Sequence, residues 1–154
     1  MNTVKGKGLL KVTGILMIIG GILCAILALI GILGAGLILA GSSNPSIAGL
    51  SGYTSHELAN VGNFTIVASV VAIIGGIIEL VGGILGVKKS GVPNSAKPCV
   101  VVGIIIIAFS LVSTVFTLLN SIDNINFFSL LSSSLIGLVL PILYLVGAAL
   151  NLKN

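Results

Sequence analysis

Glu79 is the side chain of this sequence best placed to do chemistry. It stands inside an apolar run, Ile73-Ile74-Gly75-Gly76-Ile77-Ile78-Glu79-Leu80-Val81-Gly82-Gly83, and precedes Val87 and the lysine pair Lys88-Lys89 by about two helical turns. At about 1.5 Å of helical rise per residue, the carboxyl would lie about 12 Å from the nearer end of the run. A charge at such a depth in a bilayer costs about 3 kcal/mol or more, so the neutral, protonated form is favoured. Two chemistries follow. The carboxyl can bind a proton or a monovalent cation, or it can donate a hydrogen bond that locks a neighbouring helix in place. Helical spacing puts Ala72, Gly75, Glu79, Gly82 and Gly86 on one face, so the carboxyl is expected to point at another helix. Tyr144 is the partner expected by depth, with Ser110 and Thr13 as alternatives. Pro141 removes a backbone donor and frees the carbonyl of Gly137, which either lines a small polar cavity beside Glu79 or shapes helix packing.

The remaining reactive groups exclude more than they offer. The one histidine, His56, and the other two acids, Glu57 and Asp123, fall in polar stretches between apolar runs. No Ser/His/Asp set and no pair of acids falls at one depth, so no enzyme is expected. Cys24 and Cys99 have no CxxC spacing and no nearby histidine; they read as two small thiols, neither a disulfide nor a metal site. The glycine-rich stretches lie within apolar runs and read as packing surfaces, not phosphate cradles. No cofactor and no nucleic-acid partner is implied.

Composition sets the medium in which these residues must be held. The chain of 154 residues is 56% hydrophobic and 6% charged, with a mean hydropathy of +1.30. Soluble domains carry about 25% charged residues, so the lipid bilayer is the expected environment. Four apolar stretches are each long enough to span one: about 9–40, 61–87, 99–119 and 127–150, joined by an outer loop at 41–60. The first begins among Lys5, Lys7 and Lys11 but is far longer than a signal-peptide core, so a retained helix is expected. Thr54-Ser55-His56-Glu57 matches a capping box, which predicts that the second helix begins about two turns before its apolar run.

All seven basic residues are lysines, and all fall on one side of this arrangement: Lys5, Lys7 and Lys11 around the start of the first stretch, Lys88, Lys89 and Lys97 between the second and third, and Lys153 after the fourth. The positive-inside rule makes that side cytoplasmic, with both termini in the cytoplasm of a multi-pass cell-membrane protein. The predicted fold class is all-α: an integral membrane four-helix bundle forming a single domain over 1–154. Small residues indicate how the helices would meet. They are Gly14, Gly21, Ala28 and Ala35 in the first; Ala68, Ala72, Gly75, Gly82 and Gly86 in the second; Gly103, Ser110, Thr114 and Thr117 in the third; and Ser133, Gly137, Pro141 and Ala148 in the fourth. The hairpin ends also align, Glu79 to Lys88 over Tyr144 to Lys153, which raises two parallel hairpin repeats as an arrangement.

Glu79-Leu80-Val81-Gly82-Gly83-Ile84-Leu85-Gly86, the lysine-bearing loop ending Lys97-Pro98, and Leu140-Pro141-Ile142-Leu143-Tyr144-Leu145-Val146-Gly147-Ala148 together resemble a group of small uncharacterised four-helix membrane proteins of clostridial-type Gram-positive bacteria. The resemblance covers most of the chain. It implies a bacterial cytoplasmic membrane and no particular activity. A double hairpin of this size with a membrane glutamate is also similar to the proteolipid rotor subunit of rotary ATPases. Of that family's close glycine run, however, only Gly34 and Gly36 remain, and the loop at 41–60 would face the wrong side.

The leading functional expectation is a non-enzymatic membrane protein that acts through helix–helix association, as a homo-oligomer or with a membrane-protein partner. The alternative is a small proton- or cation-coupled permease or channel using Glu79. The candidate polar site is Glu79, Tyr144, Ser110 and Pro141.

Overall fold

In a computed structural model the described residues are 6–44, 46, 49–50, 52–92, 95–120 and 127–153, with side chains throughout except at 116–120 and 127–136. Four helices are found among them: α1 Lys7–Ser42, α2 Ser55–Lys89, α3 Lys97–Asn120 and α4 Phe127–Asn151. The helices α1 and α2, together with the Lys97–Val115 part of α3, are long and apolar enough to cross a bilayer. In α4 the stretch with described side chains, Gly137–Asn151, is apolar but shorter.

The helices match the four apolar stretches and extend beyond them where polar chemistry permits. The largest extension is at the start of α2, where the expected capping box forms. The Thr54 amide and hydroxyl both donate to Glu57 Oε2 at 2.8 Å, and the Glu57 amide donates back to Thr54 Oγ1 at 3.2 Å. These bonds satisfy amide groups that a helix start otherwise leaves without partners. At the far end of α1, Ser42 and Ser43 donate to the carbonyls of Leu39 and Ala40. His56 is exposed in the first turn of α2, with Nδ1 3.3 Å from Asn60 Nδ2.

The chain divides into two compact units, one of residues 1–21 with 77–154 and one of residues 22–76. α1 and α2 have 36 and 35 residues, and α3 and α4 have 24 and 25.

Within the 22–76 unit, α1 and α2 run antiparallel and meet at small residues. The space a Gly31 side chain would fill holds the Ser69 hydroxyl, 2.5 Å from the ideal Cβ position. Gly62 likewise admits Leu39 and lies close to the backbone oxygen of Ala35. Cys24 Sγ donates to the Ala72 carbonyl at 3.4 Å.

Within the other unit the contact is closer still. A Cβ on Gly83 would stand 2.6 Å from the Gly14 oxygen and 2.9 Å from the Ile18 nitrogen. A Cβ on Gly147 would meet the backbone of Leu10 at 2.9 Å. Gly6 has φ +78°, and a side chain there would strike the Gly147 oxygen at 2.6 Å, so the turn leading into α1 needs glycine for both conformation and space.

The small-residue pattern is confirmed in α1 and corrected in α2. Gly14, Gly21, Ala28 and Ala35 are all buried. In α2 the buried positions are Gly62, Ser69, Gly76 and Gly83, a seven-residue recurrence that the expected face missed, together with Gly82 and Gly86. Ala68, Ala72 and Gly75 are only half-buried. The reason is that α2 has two contact faces: Gly62, Ser69 and Gly83 meet α1, while Gly82 and Gly86 meet side chains of α3 and α4. Large aliphatics such as Leu33, Leu37 and Val112 are left exposed.

Because two backbone atoms obstruct a Gly83 side chain, neither can yield as a flexible side chain would. Gly83→Ala is expected to destabilise the purified protein by about 1–3 kcal/mol, the range for overpacked cores. Gly36, with open space around it, should tolerate alanine without loss. Thermal unfolding of both variants in detergent, followed by circular dichroism, checks the contrast.

Candidate functional site

The predicted polar residues lie in or near the core of the 1–21/77–154 unit, but they are not brought together as one cluster. Tyr144 sits at the centre. Its side chain is fully buried among Leu10 and Met17 of α1, Cys99 and Ile106 of α3, and Ala148 of α4. Its ring fills the space that Gly86 leaves open: a Cβ at Gly86 would be 2.5 Å from Tyr144 Cε2. On the α3 side the ring faces Gly103, where a Cβ would stand 3.4 Å from Tyr144 Cδ1. The phenol proton goes to a backbone acceptor, with Oη donating to the Gly82 carbonyl at 2.6 Å. A helix carbonyl has two lone pairs, so Gly82 can accept this bond as well as its own intrahelical one. The Cys99 thiol lies beside the same hydroxyl.

Tyr144 is therefore not Glu79's hydrogen-bond donor, as the depth argument expects. Its proton is committed one turn further along α2. The Glu79 carboxyl turns to α1 and lies against Gly20, with Oε2 3.6 Å from where a Gly20 Cβ would stand. It is half-buried. Among the described residues it forms no hydrogen bond and no ion pair. Neither alternative partner reaches it either. The Thr13 hydroxyl donates back to the carbonyls of Leu9 and Leu10 at 2.7 and 3.4 Å, a local bond typical of threonine within a helix.

Ser110 is half-buried on α3, where its carbonyl accepts from Thr114 Oγ1 at 2.9 Å. Pro141 is buried, and α4 runs through it without interruption. The carbonyl it frees, on Gly137, belongs to an exposed residue with open space around its α-carbon. Among the described residues no polar cavity built from Pro141 and Glu79 is found.

A second polar tie was not anticipated. Asn151 is fully buried at the end of α4, and its Nδ2 donates to the Ser90 carbonyl just beyond α2 at 3.2 Å. Its sequence signal was an asparagine amid Leu150 and Leu152, readable only as a helix end. Among the described residues no three His, Cys, Asp or Glu side chains come together as a metal site.

No protein-family model matches the chain, and neither a curated protein nor a solved structure shows significant similarity to it.

The two contacts of Tyr144 can be separated by substitution. Tyr144→Phe keeps the ring and removes the hydroxyl, with its bond to Gly82 and its contact with the Cys99 thiol, and should cost about 0.5–1.5 kcal/mol. Gly86→Ala drives a methyl group into the ring and should cost more, with the double variant recovering nothing. Unfolding free energies from denaturant titration in mixed micelles measure both.

Proposed function

We propose that this chain is a multi-pass integral membrane protein, with both termini in the cytoplasm, that works without catalysis by associating through its helices with a second copy or another membrane protein. The observation that carries this reading is the half-buried carboxyl of Glu79, which has no hydrogen-bond or ion-pair partner among the described residues. In lipid no water is at hand to satisfy such a group, and a donor or acceptor on another helix lowers its cost. The exposed aliphatic side chains of α1, α2 and α3 supply the surrounding apolar surface. The orientation rests on the lysines, every one of which falls on one side of the four helices.

The same carboxyl also favours a second reading, a proton- or monovalent-cation-coupled permease. A cation site draws several oxygen ligands to one point, and among the described residues Glu79 has no second polar side chain bonded to it. That difference puts association first. The hairpin repeat would make Glu79 and Tyr144 equivalent, yet one is fully buried and bonded while the other is half-buried and unbonded.

Cross-linking in native membranes and flux in liposomes separate the two readings. Wild type and Glu79→Gln should both cross-link, because glutamine retains hydrogen-bonding capacity. Glu79→Leu should weaken association about five- to thirtyfold, the equivalent of one interhelical hydrogen bond. Proton and cation flux should match that of empty vesicles for all three. Flux in wild type that is abolished in Glu79→Gln would establish the permease instead, and a strictly monomeric, partner-free chain would refute association.

A further inference from the structure

The lysines converge in space as well as in sequence. All of the described ones belong to the 1–21/77–154 unit: Lys7 and Lys11 on the first turns of α1, Lys88 and Lys89 on the last turn of α2, Lys97 at the start of α3 and Lys153 after α4. Short contacts hold these helix ends together. The Asn151 side chain ties the end of α4 to Ser90, Gly147 lies against Leu10, and Lys7 Cε comes to 4.0 Å from the Gly91 Cβ position. Ser95 Oγ donates to the Lys89 carbonyl at 3.2 Å, which brings in the start of α3. Lys7, Lys11, Lys88, Lys97 and Lys153 are exposed, and Lys89 is half-buried.

Among the described residues no acid stands beside them. The one acid among the described residues of this unit is Glu79, nine residues before Lys88 and so about 14 Å along α2. Two helix N-termini and two C-termini meet at this end, so their macrodipoles largely oppose one another and the lysines set the sign of the field. The surface immediately adjoining them is apolar: Val12, Ile15, Val81, Ile84 and Val101 are each exposed by two-fifths or more.

We propose that this end of the unit is a binding surface for anionic phospholipid, with the lysine ammonium groups on the headgroup phosphates and the adjoining aliphatics along the acyl chains. A free phosphate ion would use only the first of these features, whereas a phospholipid uses both. Clusters of four to eight lysines or arginines beside membrane helices characteristically read the negative leaflet surface in this way, and lysine stems lie along apolar surface while the charge stays at the polar boundary. The proposal rests on the membrane-spanning reading above and goes beyond it, since insertion alone requires no preference among lipids.

Native mass spectrometry of the full chain in neutral detergent tests it, with titration by phosphatidylglycerol and by phosphatidylcholine of the same acyl chains. Wild type should retain phosphatidylglycerol at least tenfold more strongly. Lys88→Gln/Lys89→Gln/Lys97→Gln should lose about fivefold for each lysine removed, while the matching triple arginine variant keeps the preference. Millimolar inorganic phosphate should leave bound lipid in place. Equal retention of the two lipids, a triple glutamine variant indistinguishable from wild type, or displacement by phosphate each overturns the proposal. Extraction of the expressed chain with alkaline carbonate distinguishes the deeper failure: a chain released from membranes refutes spanning itself, and one that resists release but shows no lipid preference refutes only the binding surface.

Discussion

At Gly14 and Gly83 two helix backbones touch without side chains between them, and the unit that contains them depends on that approach. A methyl group on either residue would meet backbone atoms of the other helix. Helices that come this close place their neighbouring residues at short range as well. Met17 of α1 then reaches Gly82, and the far face of α2 is left to receive side chains of α3 and α4. Gly147 repeats the arrangement where α4 crosses Leu10. Close approach at glycine gains dispersion contacts between backbones and loses little side-chain entropy. Association between apolar helices in an apolar medium can rest on such contacts, because there the hydrophobic effect does not draw one helix to another.

Around this frame the polar groups follow a consistent rule: most side chains satisfy backbone carbonyls rather than one another. Tyr144 donates to Gly82, Asn151 to Ser90, Cys24 to Ala72, and Thr13 and Thr114 to their own helices. Backbone acceptors are available on every helix, and their second lone pair is otherwise unused. Glu79 departs from the rule. As an acid it has at most one proton to give, and in this structure it gives it to no described residue.

Much of the fold was legible in the sequence, and the reasons differ by element. Apolar runs located the helices because a span needs a minimum length of apolar residues. The capping box predicted the start of α2 because Thr54 and Glu57 can complete that reciprocal pattern from local residues alone. The face of α2 was only half read, since a helix flanked on two sides has two small faces and periodicity suggests one. The candidate site was read least well. Depth pairs Glu79 with Tyr144, but depth is one coordinate, and the azimuth of each side chain around its helix decides which groups meet. The Gly82 carbonyl was invisible in principle, because a backbone acceptor has no letter of its own in a sequence.

That last feature makes the Tyr144 contact unequal in its inheritance. Half of the bond is encoded by a side chain and half by the main chain. Drift at position 82 cannot erase the acceptor; it can only crowd it, so selection there acts on volume and is blind to polarity. Drift at position 144 can erase the donor in a single step. Across descendants of this gene the phenol should therefore behave as the slowly changing half of the pair. Its partner position should move freely among residues small enough to leave the carbonyl within reach.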